Sequence, residues 1–390
     1  MMLINLMRKV WTQIDRKCMS VFNINVKEEK KILDDLPFPK DNIERSYFQY
    51  LCQISMGSKV IIWILNFFSL PLFYYLLNKY KNANLHFEDK LVKATFISDG
   101  KSENIIPLSL KKLYNNRILK ITQEKFLLYE YDINFINTIR KRYYYSYLFL
   151  LKNLIKIAKY RAIISQFPNT EAIIVCSEYS YTSSILTLWC NSQNIMHINV
   201  MHGEKLFYIR DSFFIFNRCY IWDCYYKNLF IKLKANKDQF FIEVPPALKF
   251  DDLLNEAKCY DYTYYLQGLE SKKELLKILA IIDELEKNNK LVSIRPHPRY
   301  SDTKLLTKIF KNKISIENLE IVSIEKSILR TKNAISLYST VLHQAAYNNV
   351  NVIIDDVTNR DRFLKLKELE YIFVMSGNFK KLSNILKGFK

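Results

Sequence analysis

The spacing of apolar positions along this chain changes near Thr170. Beyond that point, short runs rich in β-branched residues alternate with longer stretches in which apolar residues recur every three or four positions. "EAIIVCS" (171–177), "MHINVMHG" (196–203), "FIFNRCYIWD" (214–223) and "DQFFIEVPPA" (238–247) read as strands. "TSSILTLWCNSQN" (182–194), with Thr182 as its N-cap, and "CYYKNLFIKLKA" (224–235) read as the helices between them. After Pro245-Pro246 the alternation restarts. "DYTYYLQG" (261–268), "KLVSIRPH" (290–297), "LEIVS" (319–323), "NAISLY" (333–338) and "VNVIIDD" (350–356) are predicted strands. The stretches 270–289, 303–312, 325–331 and 339–349 are predicted helices. Nearly continuous apolar strands separated by helices predict parallel sheets covered on both faces.

The pattern therefore predicts an α/β protein of two Rossmann-like, doubly wound domains, 1–246 and 247–390, divided at Pro245-Pro246. Two such domains are expected to face a cleft at the carboxyl ends of their strands, where this architecture binds ligands. The first part is less regular. Residues 1–50 read as polar and helical, "KATFISDG" (93–100) as a strand ending at a glycine turn, and 118–160 as helical. "VIIWILNFFSLPLFYYLL" (60–77) is flanked by Lys59, Lys79 and Lys81 and interrupted by Asn66, Ser69 and Pro71. A membrane span, a helix docked on a membrane surface and a buried packing helix all fit it.

Composition narrows the partners. The 390 residues are 49% apolar and 25% charged, as in a globular protein, with a net charge of +19. That excess calls for a partner of opposite sign: a phosphate-bearing substrate, an anionic membrane surface or nucleic acid. The absence of an RNP motif, a zinc finger or a basic helix-turn-helix argues against nucleic acid. The seven cysteines show no CxxC spacing and several lie in apolar runs, so buried free thiols are expected. The N-terminal stretch lacks a signal-peptide h-region, which predicts a cytoplasmic protein, with the basic charge suiting the inner membrane face.

Only six glycines are present, so Gly203 after "NVMH" and Gly268 after "YYLQ" draw notice. Neither GxGxxG nor GxxxxGK[ST] occurs, which disfavours dinucleotide dehydrogenases and P-loop enzymes. Four places could carry chemistry. In "RPHPR", two prolines hold His297 at a strand end between Arg295 and Arg299, a setting for a phosphate; a surface turn with an incidental histidine fits as well. Ser339 and Thr340 open a helix, where hydroxyls and backbone N–H groups form an anion site or simply cap. His343 one turn on reads as a packed residue. In "VMHGEK", His202 could deprotonate an acceptor hydroxyl, with Gly203 permitting close approach; a loop histidine is the plainer alternative. In "LQGLES", Glu270 is either a general base or a carboxylate in a first helical turn. No spacing suggests a metal site.

"RPHP" at a strand end of the second domain, followed by "YST", resembles the bacterial GT-B sialyltransferases, which carry an acidic Asp/Glu-Asp/Glu-Gly motif, a His-Pro motif and a Ser-Ser/Thr motif. The resemblance covers the C-terminal part of the chain and, more loosely, reaches back to about Ala172. It implies that His297, Ser339 and Thr340 contact the phosphate of a CMP-sugar donor. Where the acidic motif is expected the chain reads "QGLESKK", leaving Glu270 as the available base. "HG" after a central strand, "RxHP" and "ST" are also similar to CDP-glycerol and CDP-ribitol phosphotransferases, in which the first histidine, here His202, is the base. Both resemblances imply a metal-independent GT-B transferase of capsule, lipopolysaccharide or O-antigen synthesis. The first implies CMP-sialic acid as donor and a glycan or lipid-linked glycan as acceptor. A catalytically decayed membrane-surface scaffold is the non-enzymatic alternative.

Overall fold

A computed structural model describes residues 21–81, 83, 91–250, 257–268, 270–310, 314–377 and 379–389. The chain divides into two compact units, Met1–His202 with Phe207–Val244, and Gly203–Leu206 with Pro245–Lys390. Each is described by itself. The four-residue segment Gly203–Leu206 groups with the second unit although sequence continuity alone would put it in the first.

In the first unit, α1 (Val26–Asp35), α2 (Asn42–Ser55) and α3 (Lys59–Lys81) precede β1 (Ala94–Ile97), α4 (Leu108–Leu113), β2 (Ile118–Ile121), α5 (Glu130–Arg142) and α6 (Tyr147–Gln166). Then follow β3 (Ala172–Val175), α7 (Ser183–Ser192), β4 (Met196–Val200), β5 (Arg218–Ile221), α8 (Cys224–Lys232) and β6 (Phe240–Ile242). The second unit runs β7 (Tyr260–Tyr265), α9 (Lys272–Lys287), β8 (Val292–Arg295), α10 (Thr303–Phe310), β9 (Ser315–Ile316), α11 (Ile324–Leu329) and β10 (Thr331–Ser336). It closes with α12 (Thr340–Tyr347), β11 (Asn351–Ile354), α13 (Arg360–Glu368), α14 (Ile372–Met375), β12 (Lys380–Lys381) and α15 (Leu382–Lys387).

Among the described residues the strands form two six-stranded parallel sheets, ordered β2-β1-β3-β4-β5-β6 and β12-β11-β10-β7-β8-β9. The α/β, doubly wound class predicted from the pattern is the class observed. In each sheet the chain turns back across its first strand, placing a topological switch between β1 and β3 and between β7 and β10. Ligands of such sheets bind outside the carboxyl ends at that switch.

Local chemistry explains the elements that flank those ends. Ser271 and Glu274 close a reciprocal capping box at the start of α9, which then buries Leu275, Ile278, Ile281, Ile282 and Leu285 on one stripe against β7 and β8. Thr182 precedes α7 but makes no capping bond; its hydroxyl lies 2.8 Å from that of Ser180. The core of the first unit contains an ion pair: Arg161 donates twice to Asp132, at 2.8 Å each, and Trp189 Nε1 donates to the same carboxylate. His197 in β4 is fully buried between the Tyr160 hydroxyl (3.0 Å) and the Thr187 hydroxyl (2.8 Å), and burial pushes its pKa down to about 3.

Several expectations change. The stretch 118–160 is not wholly helical, because Ile118–Ile121 pairs with β1 as the edge strand. The strand expected over 214–223 starts only at Arg218. Upstream, side chains satisfy the backbone instead: Gln239 Nε2 donates to Phe214 O, the Phe216 N–H donates to Gln239 Oε1, and Thr187 donates to Ile215 O. "LEIVS" is a turn, since Asn318 bonds the Glu320 N–H through its side chain and the Val322 N–H through its carbonyl. The edge strand there is Ser315–Ile316. Among the described residues Cys52, Cys176, Cys190 and Cys219 are buried and in no disulfide, whereas Cys224 and Cys259 are exposed; Cys18 lies outside the described residues.

Candidate functional site

The candidate residues sit at the carboxyl edges of the two sheets. In the first unit His202 follows β4 and Glu178 follows β3, the neighbouring strand. Asn199, fully buried in β4, ties that strand to the loop after β3. Its Oδ1 accepts from the Ser177 N–H (2.8 Å) and its Nδ2 donates to Glu178 Oε2 (3.1 Å). The other carboxylate oxygen, Oε1, lies 3.9 Å from His202 Nδ1. Glu178 has a side chain only 1% exposed, against 16% for His202. A buried carboxylate beside an accessible imidazole stabilises the ring once it has taken a proton. Glu178 escaped the sequence reading because nothing but the β3–β4 pairing brings it to His202. Gly203 has no protein atom within 4 Å of the Cβ it lacks, and its backbone is ordinary, so neither internal packing nor φ requires glycine there.

In the second unit the loops after β7 and β8 interlock. Gly268 has φ +78°, and a Cβ there would lie 2.5 Å from Tyr300 Cβ and 2.7 Å from its carbonyl carbon. Only glycine fits both the left-handed backbone and that contact. The Tyr300-Ser301 segment belongs to the turn that holds His297: the His297 N–H donates to Ser301 Oγ (2.8 Å), and the Arg299 N–H donates to His297 Nδ1 (3.1 Å). With Nδ1 accepting, the neutral ring carries its proton on Nε2 as a donor. Burial, reinforced by the Arg299 charge, lowers the pKa of this half-buried histidine, so the neutral donor form dominates at pH 7. The ring stacks on Tyr300 at 4.7 Å.

Arg295, expected on the phosphate, is placed otherwise. It is buried, paired to Glu317 at 2.8 Å, with Nη2 donating to Val322 O at 3.0 Å. Arg299 is exposed at the surface of the same turn. Glu270 also has its oxygens committed: they accept the Gln267 N–H and, at 2.9 Å, the Gly268 N–H. It shapes the loop after β7 by filling the anion-binding backbone groups itself. Ser339 is the N-cap of α12, its Oγ accepting from Val341 N (3.2 Å), and Thr340 is the first helical residue. Both follow β10, across the switch from Gly268. His343, within α12, pairs with Glu204 of the Gly203–Leu206 segment.

Asp355, after β11, was also missed by the sequence reading. It accepts from Tyr264 OH and from the Val357 and Thr358 N–H groups, both at 2.9 Å. It borders a cavity of about 20 Å³ with Glu270, Gln267 and Ser336, room for a single water. Another cavity, about 600 Å³, lies at the amino ends of β1, β3 and β4 between Arg117, Thr170 and Gln193. It holds none of the predicted residues and is at the edge this architecture does not use.

No family model and no curated protein matches the chain. Among solved structures it is similar to a variant of the wall teichoic acid polymerase TagF (10% identity, covering 85% of this chain and 88% of that one, TM-score 0.45). It is also similar to UDP-GlcNAc 2-epimerases from Neisseria meningitidis, bound to UDP-GlcNAc (13%, 76% and 90%, 0.43), and from Methanocaldococcus jannaschii (17%, 75% and 95%, 0.41). Likeness at this level carries neither an activity nor a residue role to this chain.

Proposed function

We propose that the chain is a GT-B transferase that moves a group from a cytidine-activated donor to an acceptor hydroxyl in the synthesis of a bacterial surface polysaccharide. The observation that carries the reading is the pairing of His202 with the buried carboxylate of Glu178 at 3.9 Å. His202 takes the proton of the acceptor hydroxyl, and Glu178 stabilises the resulting imidazolium. The acceptor oxygen bonds to the donor centre as the bond to the nucleotide phosphate breaks. The charge left on that phosphate meets the Nε2–H of His297, the Ser339 and Thr340 hydroxyls and the backbone N–H groups opening α12.

Two donors fit this scheme. With a CMP-activated acidic sugar such as CMP-sialic acid, attack falls on the anomeric carbon and the acceptor is a glycan or lipid-linked glycan. With a CDP-linked polyol phosphate, attack falls on phosphorus. The second reading is favoured by one observation: the carboxylate in the place of an acidic base, Glu270, is engaged with the backbone, whereas His202 has a base's surroundings.

Calorimetric titration with CMP, CDP and UDP tests the common core. A cytidine nucleotide should bind, and His297→Ala should abolish measurable binding and lower turnover about 100-fold. His202→Ala should leave binding intact and lower turnover about 1,000-fold. Turnover with CMP-sialic acid or with CDP-glycerol separates the two donors. Failure of every cytidine nucleotide to bind would leave the basic scaffold as the reading.

A further inference from the structure

Helix α3 is 23 residues long, about 34 Å, and by length and composition could cross a membrane. It buries only a narrow seam, Ser69, Phe73, Leu76 and Tyr80. That seam runs along α6: Asn66 Oδ1 accepts from the Leu148 N–H (3.0 Å), and Phe73 packs edge-on to Tyr147 at 5.7 Å. Ile62, Leu65, Asn66, Leu72 and Leu77 are half-buried beside that seam, and the face opposite is exposed among the described residues and strongly apolar. Trp63 is 68% exposed, and Val60, Phe67, Phe68, Tyr74 and Tyr75 form one face with it. An exposed apolar face of this extent marks an interaction surface.

Charge says what covers it. The segment from Lys59 to Lys81 contains no acidic residue, and its three charges, Lys59, Lys79 and Lys81, are all cationic and all at its ends. Arg140, at the end of α5, adds a fourth cation, donating to the Tyr74 hydroxyl at 2.7 Å. Lys79 lies over the Tyr75 ring at 5.7 Å. An apolar, tryptophan- and tyrosine-bearing centre with cationic margins complements the boundary between headgroups and acyl chains of an anionic bilayer. A protein partner would be expected to find acidic and polar complements along such a face. Orientation follows from the seam. Crossing the bilayer would carry α6 with it, including Lys152, whose Nζ lies 4.1 Å from the Tyr181 ring, and Lys159, which pairs with Glu124. Such charges are costly inside a membrane.

We propose that α3 lies in the plane of an anionic lipid bilayer and anchors the chain there through the face centred on Trp63 and Phe67. The proposal is independent of the transfer reaction and stands or falls without it. Full-length protein should sediment with vesicles containing phosphatidylglycerol and much less with pure phosphatidylcholine. Trp63→Glu with Phe67→Glu should lower partitioning at least tenfold; both side chains are exposed, so circular dichroism should be unchanged. In a Trp11→Phe background, brominated acyl chains should quench fluorescence, and adding Trp63→Phe should remove most of that quenching, because Trp189 and Trp222 are buried. Vesicle binding indifferent to the double substitution overturns the proposal. So does a dimer by light scattering that the double substitution dissociates while vesicles go unbound, which would make a second copy the occupant. Retention after an alkaline carbonate wash overturns the in-plane orientation in favour of a span.

Discussion

Both sheets are six-stranded and parallel, with different strand orders, and they hold their edge histidines by opposite means. His202 in the first unit is steered by a side chain, the buried Glu178 carboxylate, itself aligned by Asn199. His297 in the second is fixed by backbone: the Arg299 N–H on Nδ1, its own N–H on Ser301, and the Gly268 loop pressed against Tyr300-Ser301. The first arrangement favours a ring that gains a proton. The second favours a neutral ring that offers one. The same fold can thus present one residue type for opposite tasks, and the difference lies in whether a charge or a backbone amide faces Nδ1.

The sharpest test of that contrast removes the cation that the sequence assigned to the phosphate. Glu317→Leu should cost about 4 kcal/mol, because it strands the buried Arg295 charge. Adding Arg295→Met should restore most of that stability in a urea titration. If Arg295 is structural, the stable double variant binds nucleotide as the wild type does. Lost affinity there would return Arg295 to the phosphate.

The two glycines give the next largest effect. Gly268→Ala should destabilise the second unit by about 3 kcal/mol, from strained backbone and overpacking together. Gly203→Ala should change stability by less than about 0.5 kcal/mol. Equal costs would break the distinction between an interlocked edge and an open one.

Glu178→Gln should lower turnover about 100-fold with nucleotide affinity unchanged. It should also move the acidic limb of the kcat–pH profile to lower pH, because the imidazolium loses its counter-charge. A variant with lower turnover but an unshifted profile would leave Glu178 with only a structural part.

A test that bears on stability alone concerns His197, the buried counterexample to both edge histidines. Its pKa falls from 6.5 in the unfolded chain to about 3 in the folded one. The unfolded chain therefore binds the proton first as pH drops. Stability should be lost as pH falls from 6.5 towards 3, by about 1.4 kcal/mol per unit. His197→Gln should remove that slope from the difference between the two denaturation profiles.

Much of this was legible in the chain itself. Apolar spacing identified the alternating strands and helices after Thr170, since a strand buried on both faces must be continuously apolar. The prolines around His297 and the Ser339-Thr340 pair announced a strand end and a helix start in purely local terms. The run 60–77 announced an apolar helix without saying which side would be covered. Edge strands were harder: Ile118–Ile121 and Ser315–Ile316 owe their conformation to the neighbours they pair with, and "LEIVS" lost its strand to the bonding of Asn318.

What the sequence by itself determined, then, is the class of fold, the order of its elements and the residues that stand at strand ends, because hydrophobic period and turn chemistry are properties of short stretches. Tertiary structure alone decided partnership. It set Glu178 beside His202, turned Arg295 toward Glu317, committed Glu270 to its own loop and left one face of α3 uncovered. Each of those depends on which strands and helices become neighbours. No local pattern records that, because charges and lone pairs find their partners only after the sheets have formed.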